Sequence, residues 1–125
     1  MRGISKLAAV SAVAGLAFGF ASAAEAAGAL AIGKCDRNGW AYGYGTAEEA
    51  REAAVAHCAS NGDTTCHIVY AINGNCAAFA VDGSCGARGW SRAANRSAAE
   101  AAAIEACESY GGSNCTIRRW VCDGE

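Results

Sequence analysis

Polar and apolar positions change their period several times along this chain. Gly28 to Ile32 is a short apolar run and predicts a strand. Lys34 to Gly39 is polar and ends in Asn38-Gly39, a pair that favours tight hairpins. The stretch from Trp40 to Gly45 then alternates strictly. It places Trp40, Tyr42 and Tyr44 on one face of a strand and Ala41, Gly43 and Gly45 on the other. From Thr46 the period lengthens. Ala47, Ala50, Ala54, Val55 and Cys58 recur at helical spacing, Thr46-x-x-Glu49 has capping-box spacing, and Glu48, Glu49 and Glu52 put negative charge near the helix N-terminus. Asn61-Gly62 stops the helix. Cys66 to Ile72 alternates again, with Cys66, Ile68, Tyr70 and Ile72 predicted on one face.

After a turn at Asn73-Gly74 the series begins anew. Cys76 to Val81 predicts a strand, Asp82 to Gly89 a glycine-rich turn, and Trp90 to Ala94 a second strand. A helix follows, starting at Asn95 by the count back from Cys107, although Ser97-x-x-Glu100 offers a second capping box. Gly111-Gly112 ends it, and Cys115 to Cys122 is the last strand. The matched positions are exact in type: Cys35-x4-Trp40-x17-Cys58-x7-Cys66 is followed by Cys85-x4-Trp90-x16-Cys107-x7-Cys115. The expected fold is α+β, two strand-strand-helix-strand units related by pseudo-twofold symmetry, covering about 28–75 and 76–122. The two units form a single domain over residues 27–125.

Residues 1–26 are set apart by composition. Arg2 and Lys6 precede an uncharged apolar run from Leu7 to Phe20, and Ala21-Ser22-Ala23 and Ala24-Glu25-Ala26 offer small-residue cleavage sites. This is the layout of a secretory signal peptide, and the run is shorter than the ~20 residues a spanning helix needs. Without Arg2, Lys6 and Glu25, the 10 basic and 12 acidic residues fall to 8 and 11, near −3. That balance argues against general nucleic-acid binding, which calls for a basic footprint. No second stretch is apolar enough to span a bilayer.

The remaining chain is apolar mainly through alanine and has few large apolar residues. Each of those contributes roughly 1.5–3 kcal/mol when buried, against about 1.5 kcal/mol of ordering cost per residue, so covalent staples are expected. All eight cysteines lie beyond the leader, and in an exported chain an even number reads as a disulfide framework. The repeat favours two local pairs, Cys58 with Cys66 and Cys107 with Cys115. Cys35 and Cys85 are equivalent residues, which can meet only near the pseudo-twofold axis. That would leave Cys76 with Cys122. The pairing of these last four stays open at this level.

The chain offers little catalytic chemistry. It contains no C-x-x-C, G-x-S-x-G, H-E-x-x-H or Walker loop. His57-Cys58 and Cys66-His67 suggest zinc, but adjacent residues of a helix or a strand diverge too far to converge on one tetrahedral ion; no metal or cofactor is expected. His57 and His67 are the available imidazoles, with Ser60 and Asp63 between them. Two features suit binding. Trp40, Tyr42 and Tyr44 are flat rings with polar tips that fit sugar or peptide surfaces. Arg92, Arg118 and Arg119, with Arg88 and Arg96, make the second unit the more basic and fit an anionic partner. Tyr42, His57, His67 and Val69-Tyr70 have Arg92, Ala106, Thr116 and Arg118-Arg119 as their counterparts, and function is expected where the units differ.

Several segments together resemble a bacterial secreted family of unknown function catalogued as 4189. They are the aromatic–glycine strand Trp40 to Gly45, the alanine-rich acidic helix Ala47 to Cys58, the C-x7-C step into a strand, Asn75 to Val81, and the ending Trp120-Val121-Cys122. Asn75-Cys76 stands where the family has Asn-x-Cys, and Cys35 and Cys85 are not assigned by the family pattern. The resemblance implies export and a small duplicated fold, and it brings no catalytic residues. The leading expectation is a disulfide-rich protein, secreted or held in the periplasm or cell envelope. It would bind a protein, glycan or anionic partner there, with no membrane span after leader cleavage. The alternatives are a small secreted hydrolase using His57 or His67, and a structural envelope component.

Overall fold

The computed structural model describes residues 27–123. The expected signal peptide lies outside the described residues. The element order is β1 (Ala27–Ile32), β2 (Asn38–Tyr44), α1 (Ala47–Cys58), β3 (His67–Ile72), β4 (Asn75–Asp82), β5 (Arg88–Ala93), α2 (Arg96–Ser109) and β6 (Cys115–Asp123). The strands form two antiparallel three-stranded sheets, β2-β1-β3 and β5-β4-β6. Each unit is therefore strand-strand-helix-strand, with its first strand in the middle. The fold is α+β.

The central strands decide the layering. In β1, Ala27, Ala29 and Ala31 share a cluster with Ala50, Ala54 and Cys58 of α1, whereas Leu30 and Ile32 join Ala77, Phe79 and Val81 of β4. In β4, Cys76, Ala78 and Ala80 face Ala99, Ala103 and Cys107 of α2. Alanine thus faces each helix, where backbones must come close, and the large side chains fill the space between the sheets. The order is helix, sheet, sheet, helix. Trp40 and Trp90 border the central cluster from equivalent strands.

The helix starts follow the caps. Thr46 Oγ1 accepts the Glu49 N–H at 3.1 Å and Asn95 Oδ1 accepts the Ala98 N–H at 2.9 Å. Asn95, not Ser97, begins α2, so both helices reach their cysteine in the same number of residues. After α1 a 3-10 turn, Ala59–Asn61, leads to Gly62 at φ 91°.

All eight cysteines are paired: Cys58–Cys66, Cys107–Cys115, Cys35–Cys85 and Cys76–Cys122. The two local bonds tie each helix end to its following strand. Cys76–Cys122 joins neighbouring strands of one sheet, and Cys35–Cys85 joins the two units.

Three local expectations are corrected. Asn38-Gly39 is not the hairpin turn. The turn closes earlier, with the Gly33 N–H donating to the Arg37 carbonyl, and both residues belong to β2. Glycine is needed at 39 because α1 packs on its backbone: a β-carbon there would lie 2.3 Å from the Ala54 carbonyl oxygen. The aromatic stripe is also broken. Ala29 pairs with Ala41 but Ala27 pairs with Tyr44, so a bulge lies between them at Tyr42 and Gly43, with Gly43 at φ 78°. Residues facing across a ladder share a side, so Tyr44 moves to the side of Ala41, away from Trp40. In β3, Leu30 pairs with Tyr70 and Ala31 with Ile68, skipping Val69. Cys66 and Ile68 consequently pack toward α1, while Tyr70 and Ile72 join the layer between the sheets. The matched bulge in β6 skips Arg118.

Candidate binding surface around Trp40

Two of the residues that differ between the units, His57 and Arg119, meet at Trp40. Its ring is in contact with both. The Arg119 guanidinium carbon lies 3.5 Å from the ring centre. The His57 ring centre is 4.0 Å away at an interplanar angle of 47°. Arg119 is brought there by β6 and is fixed by donation from Nε to Asn38 Oδ1 at 3.0 Å. His57 comes from the last turn of α1, with Nδ1 3.4 Å from the Trp40 carbonyl oxygen. Burial lowers the pKa of Arg119 below the ordinary guanidinium value.

The sequence of residues 27–122 matches the family described as a domain of unknown function, DUF4189. The chain belongs to the DUF4189 family. No curated protein and no solved structure matches this DUF4189 chain.

In this DUF4189 domain the arginines are not one patch. Arg118 and Arg119 reach toward the start of β2 and the loop before it, while Arg92 lies apart, beside Tyr70. The Arg92 guanidinium carbon is 5.1 Å from the Tyr70 ring centre, and its Nη1 donates to the Ala71 carbonyl at 2.8 Å. Since Arg92 matches Tyr42 and Tyr70 matches Arg119, each side of the molecule sets one arginine beside aromatic residues, with the contributing strands exchanged. Arg118 donates to the Gly83 carbonyl and sits 3.4 Å from Asp36. Arg88 donates to the carbonyls of Gly33 and, at 3.0 Å, Cys35. These side chains of the second unit reach the first unit, Arg118 through Asp36. The strand arginines therefore have a packing role, because they tie the units together. Sequence reasoning missed this because the partners lie some 20 to 80 positions away.

Tyr42 and Trp120 are the exposed rings of the surface, 62% and 40% accessible. With Trp40, Arg119 and Asp123 they border a cavity of about 530 Å³ between β2 and β6. Asp123 is 5% accessible. Its Oδ1 accepts the Gly43 N–H at 3.1 Å, and its Oδ2 has no hydrogen-bond partner among the described residues. Arg96 covers part of Trp120, 3.9 Å from the ring centre. Tyr44, 40% accessible, lies past the bulge and does not border this cavity. Trp120 and Asp123 were missed as site residues. The sequence signal for Trp120 is its match to Ala71, a large ring at a small-residue position.

On the other side of the Trp40–Arg119 pair a second cavity, about 560 Å³, opens beside the end of α1. His57 and Ser60 border it. His67 is turned to its own loop, with Nδ1 3.1 Å from the Thr65 carbonyl. Asp63 is engaged as a loop cap. Its carboxylate accepts the Lys34 N–H at 2.9 Å and the Thr65 N–H and hydroxyl at 2.7 and 2.6 Å. These bonds, the Thr65 hydroxyl first, lower its pKa to about 2. Among the described residues no group of three or more His, Cys, Asp or Glu is placed to hold a metal ion, and no helix is long and apolar enough to cross a membrane.

Proposed function

We propose that this DUF4189 domain is an exported binding module that engages a partner macromolecule in the envelope or outside the cell through the surface around Trp40. The observation that carries the reading is the pair of open rings, Tyr42 and Trp120, on either side of a cavity whose wall is the Trp40–Arg119 stack. Rings with polar tips held on strands lose little freedom on binding, which suits recognition. Four disulfides fit an oxidising compartment. The hydrolase alternative draws less support, since Asp63 serves backbone donors and the His57 ring lies on Trp40.

The test uses the oxidised protein immobilised against envelope extracts, with the double variant Tyr42→Ser and Trp120→Ser alongside it. A partner retained by the wild type and lost by the variant, at an unchanged melting temperature, supports the reading. Equal retention by both sinks it.

A further inference from the structure

The cavity beside the end of α1 has a charge pattern of its own. Lys34, Arg37 and Arg119 border it, against one carboxylate, Asp36. That carboxylate is already 3.4 Å from the Arg118 guanidinium. Arg37 is 3.8 Å from Asp63, whose oxygens are taken by the Lys34 and Thr65 donors. The Lys34 ammonium has no carboxylate partner among the described residues. Arg119 is bound through Nε alone, so its outer N–H groups remain available. Its plane is fixed on Trp40, which presents those donors in a set orientation rather than on a free chain. Ser60 and Ser84 add hydroxyls to the same wall.

Two further observations single out this cavity. Lys34 and Ser84 are matched residues of the two units, brought together by the Cys35–Cys85 bond, so the cavity lies where the units meet. Cys35, also in its wall, has φ 58°, the one positive φ outside glycine among the described residues. Such strain persists only where the surroundings impose it. Here Arg88 holds the Cys35 carbonyl and the disulfide holds the side chain. The matched positions of the other unit place Tyr70 for Arg119 and Ala106 for His57, so the same cation arrangement is not repeated there.

We propose that this cavity is an oxyanion site that receives a phosphate or carboxylate group carried by the partner, with Lys34 and Arg119 as its principal donors and Ser60 and Ser84 beside them. The site names the chemistry of the partner and rests on the reading of the Trp40 surface as the binding face. A partner with an anionic group near a flat ring or sugar face would span both cavities across the Trp40–Arg119 ridge.

The experiment is a titration of the oxidised protein, followed by amide and side-chain NMR shifts, with inorganic phosphate in one arm and galacturonate in the other. Sodium chloride at equal ionic strength is the control. Saturable shifts at Lys34, Ser60, Ser84 and the Arg119 side chain are expected, and the arm that saturates first identifies the anion. Lys34→Gln and Arg119→Gln should each weaken binding about tenfold, the loss of one charge-assisted bond. Lys34→Gln touches no structural side-chain bond, so it keeps the test decisive if Arg119→Gln melts early. Shifts no larger than those of chloride, or binding that survives both substitutions, overturn the site. The Tyr42 and Trp120 test stands apart: partner retention lost there with no oxyanion binding here would leave the binding face and remove only this ligand class.

Discussion

The Arg119 guanidinium lies 3.5 Å from the centre of the Trp40 ring, although the two residues belong to different units and stand 79 positions apart in the chain. The stack therefore serves as a joint between the sheets as well as a wall of the proposed surface. Arg119→Ala removes a stacking contact worth about 0.5–2 kcal/mol and the bond to Asn38, worth about 1 kcal/mol. The melting temperature should fall by roughly 4–8 °C for each kcal/mol lost. Arg119→Lys should recover less than half, because an ammonium cannot lie flat on the ring and reach Asn38 together. Thermal unfolding followed by circular dichroism measures both. An alanine variant that melts with the wild type would show the stack to be energetically idle.

Arg92, Arg118 and Arg119 each make such ties, so the triple alanine variant should lose stability as well as any binding. Their roles separate only one residue at a time. Arg92→Ala should lower the melting point, through the loss of the Tyr70 and Ala71 contacts, without touching either cavity beside Trp40. Oxyanion or partner binding that falls with Arg92→Ala at a temperature where the variant is folded would place part of the site on the Tyr70 side.

Gly39 and Gly89 occupy matched strand positions under the two helices. A β-carbon at Gly39 would come within 2.3 Å of Ala54 and Cys58 backbone atoms, and one at Gly89 within 2.2 Å of the Cys107 nitrogen. Backbone cannot yield as a flexible side chain can, so Gly39→Ala and Gly89→Ala should each destabilise by several kcal/mol, on the order of ~3. Gly43 is the contrast. No atom lies within 4 Å of a β-carbon there, and its φ of 78° is the cost. Gly43→Ala should lose about 1–2 kcal/mol. Denaturant midpoints for the three variants check the order; a Gly43 variant less stable than the other two would reverse the argument.

Local rules read the fold well where the causes are local. Thr46 and Asn95 were legible as caps, Gly62 and Gly111 as stops, and the order of elements along the chain followed from a repeat written in cysteine and tryptophan. Symmetry pointed to Cys35 with Cys85 but left the last four cysteines open, and the structure pairs Cys35 with Cys85. The bulges at Tyr42–Gly43, Val69 and Arg118 were not legible, because a bulge is fixed by how the neighbouring strand and the packed layers fit, and strict alternation in the sequence conceals it. One added residue in β2 moved Tyr44 off the Trp40 face, and another in β3 turned Tyr70 toward the other sheet. The surface around Trp40 was partly legible. Tyr42, His57 and Arg119 appeared as differences between the units while Trp120 and Asp123 were missed, and that His57 and Arg119 meet on one ring depends on the stacking of two sheets.

The Asp63 carboxylate gives a pH dependence with a definite sign. Its pKa is lowered to about 2 by the Thr65 hydroxyl, the Lys34 and Thr65 N–H groups and, least, Arg37. In the unfolded chain an aspartate titrates near ~3.9. A depressed carboxylate stabilises the fold fully above the unfolded value, and the contribution is lost as pH falls from about 4 toward 2. Asp63→Asn should therefore be less stable than the wild type at neutral pH, with the gap closing over that acid window. Thr65→Val should reproduce part of the loss, since the Lys34 and Thr65 N–H donors remain, and Arg37→Ala less of it. Denaturant midpoints at a series of pH values measure this; a gap that stays constant down to pH 2 would mean that the loop does not sense the charge.

The disulfide between the units should outweigh the local ones. Cys35 and Cys85 are separated by 50 positions, Cys58 and Cys66 by 8. The chain-entropy model assigns about 4 kcal/mol to the longer loop and about 2.6 to the shorter. Replacing both cysteines of each pair by alanine should follow that order in denaturant midpoint. Cys35 adds a further element, because its φ of 58° persists in the alanine variant, where a β-carbon remains. Cys35→Gly with Cys85→Ala should recover about 1 kcal/mol relative to the double alanine variant, since glycine accepts that conformation without penalty. The recovery is partial, because glycine also gives the unfolded chain more freedom. A glycine variant no more stable than the alanine one would show that the turn relaxes to negative φ once the bond is gone. The left-handed conformation would then be a product of the staple rather than of the Gly33 to Arg37 turn.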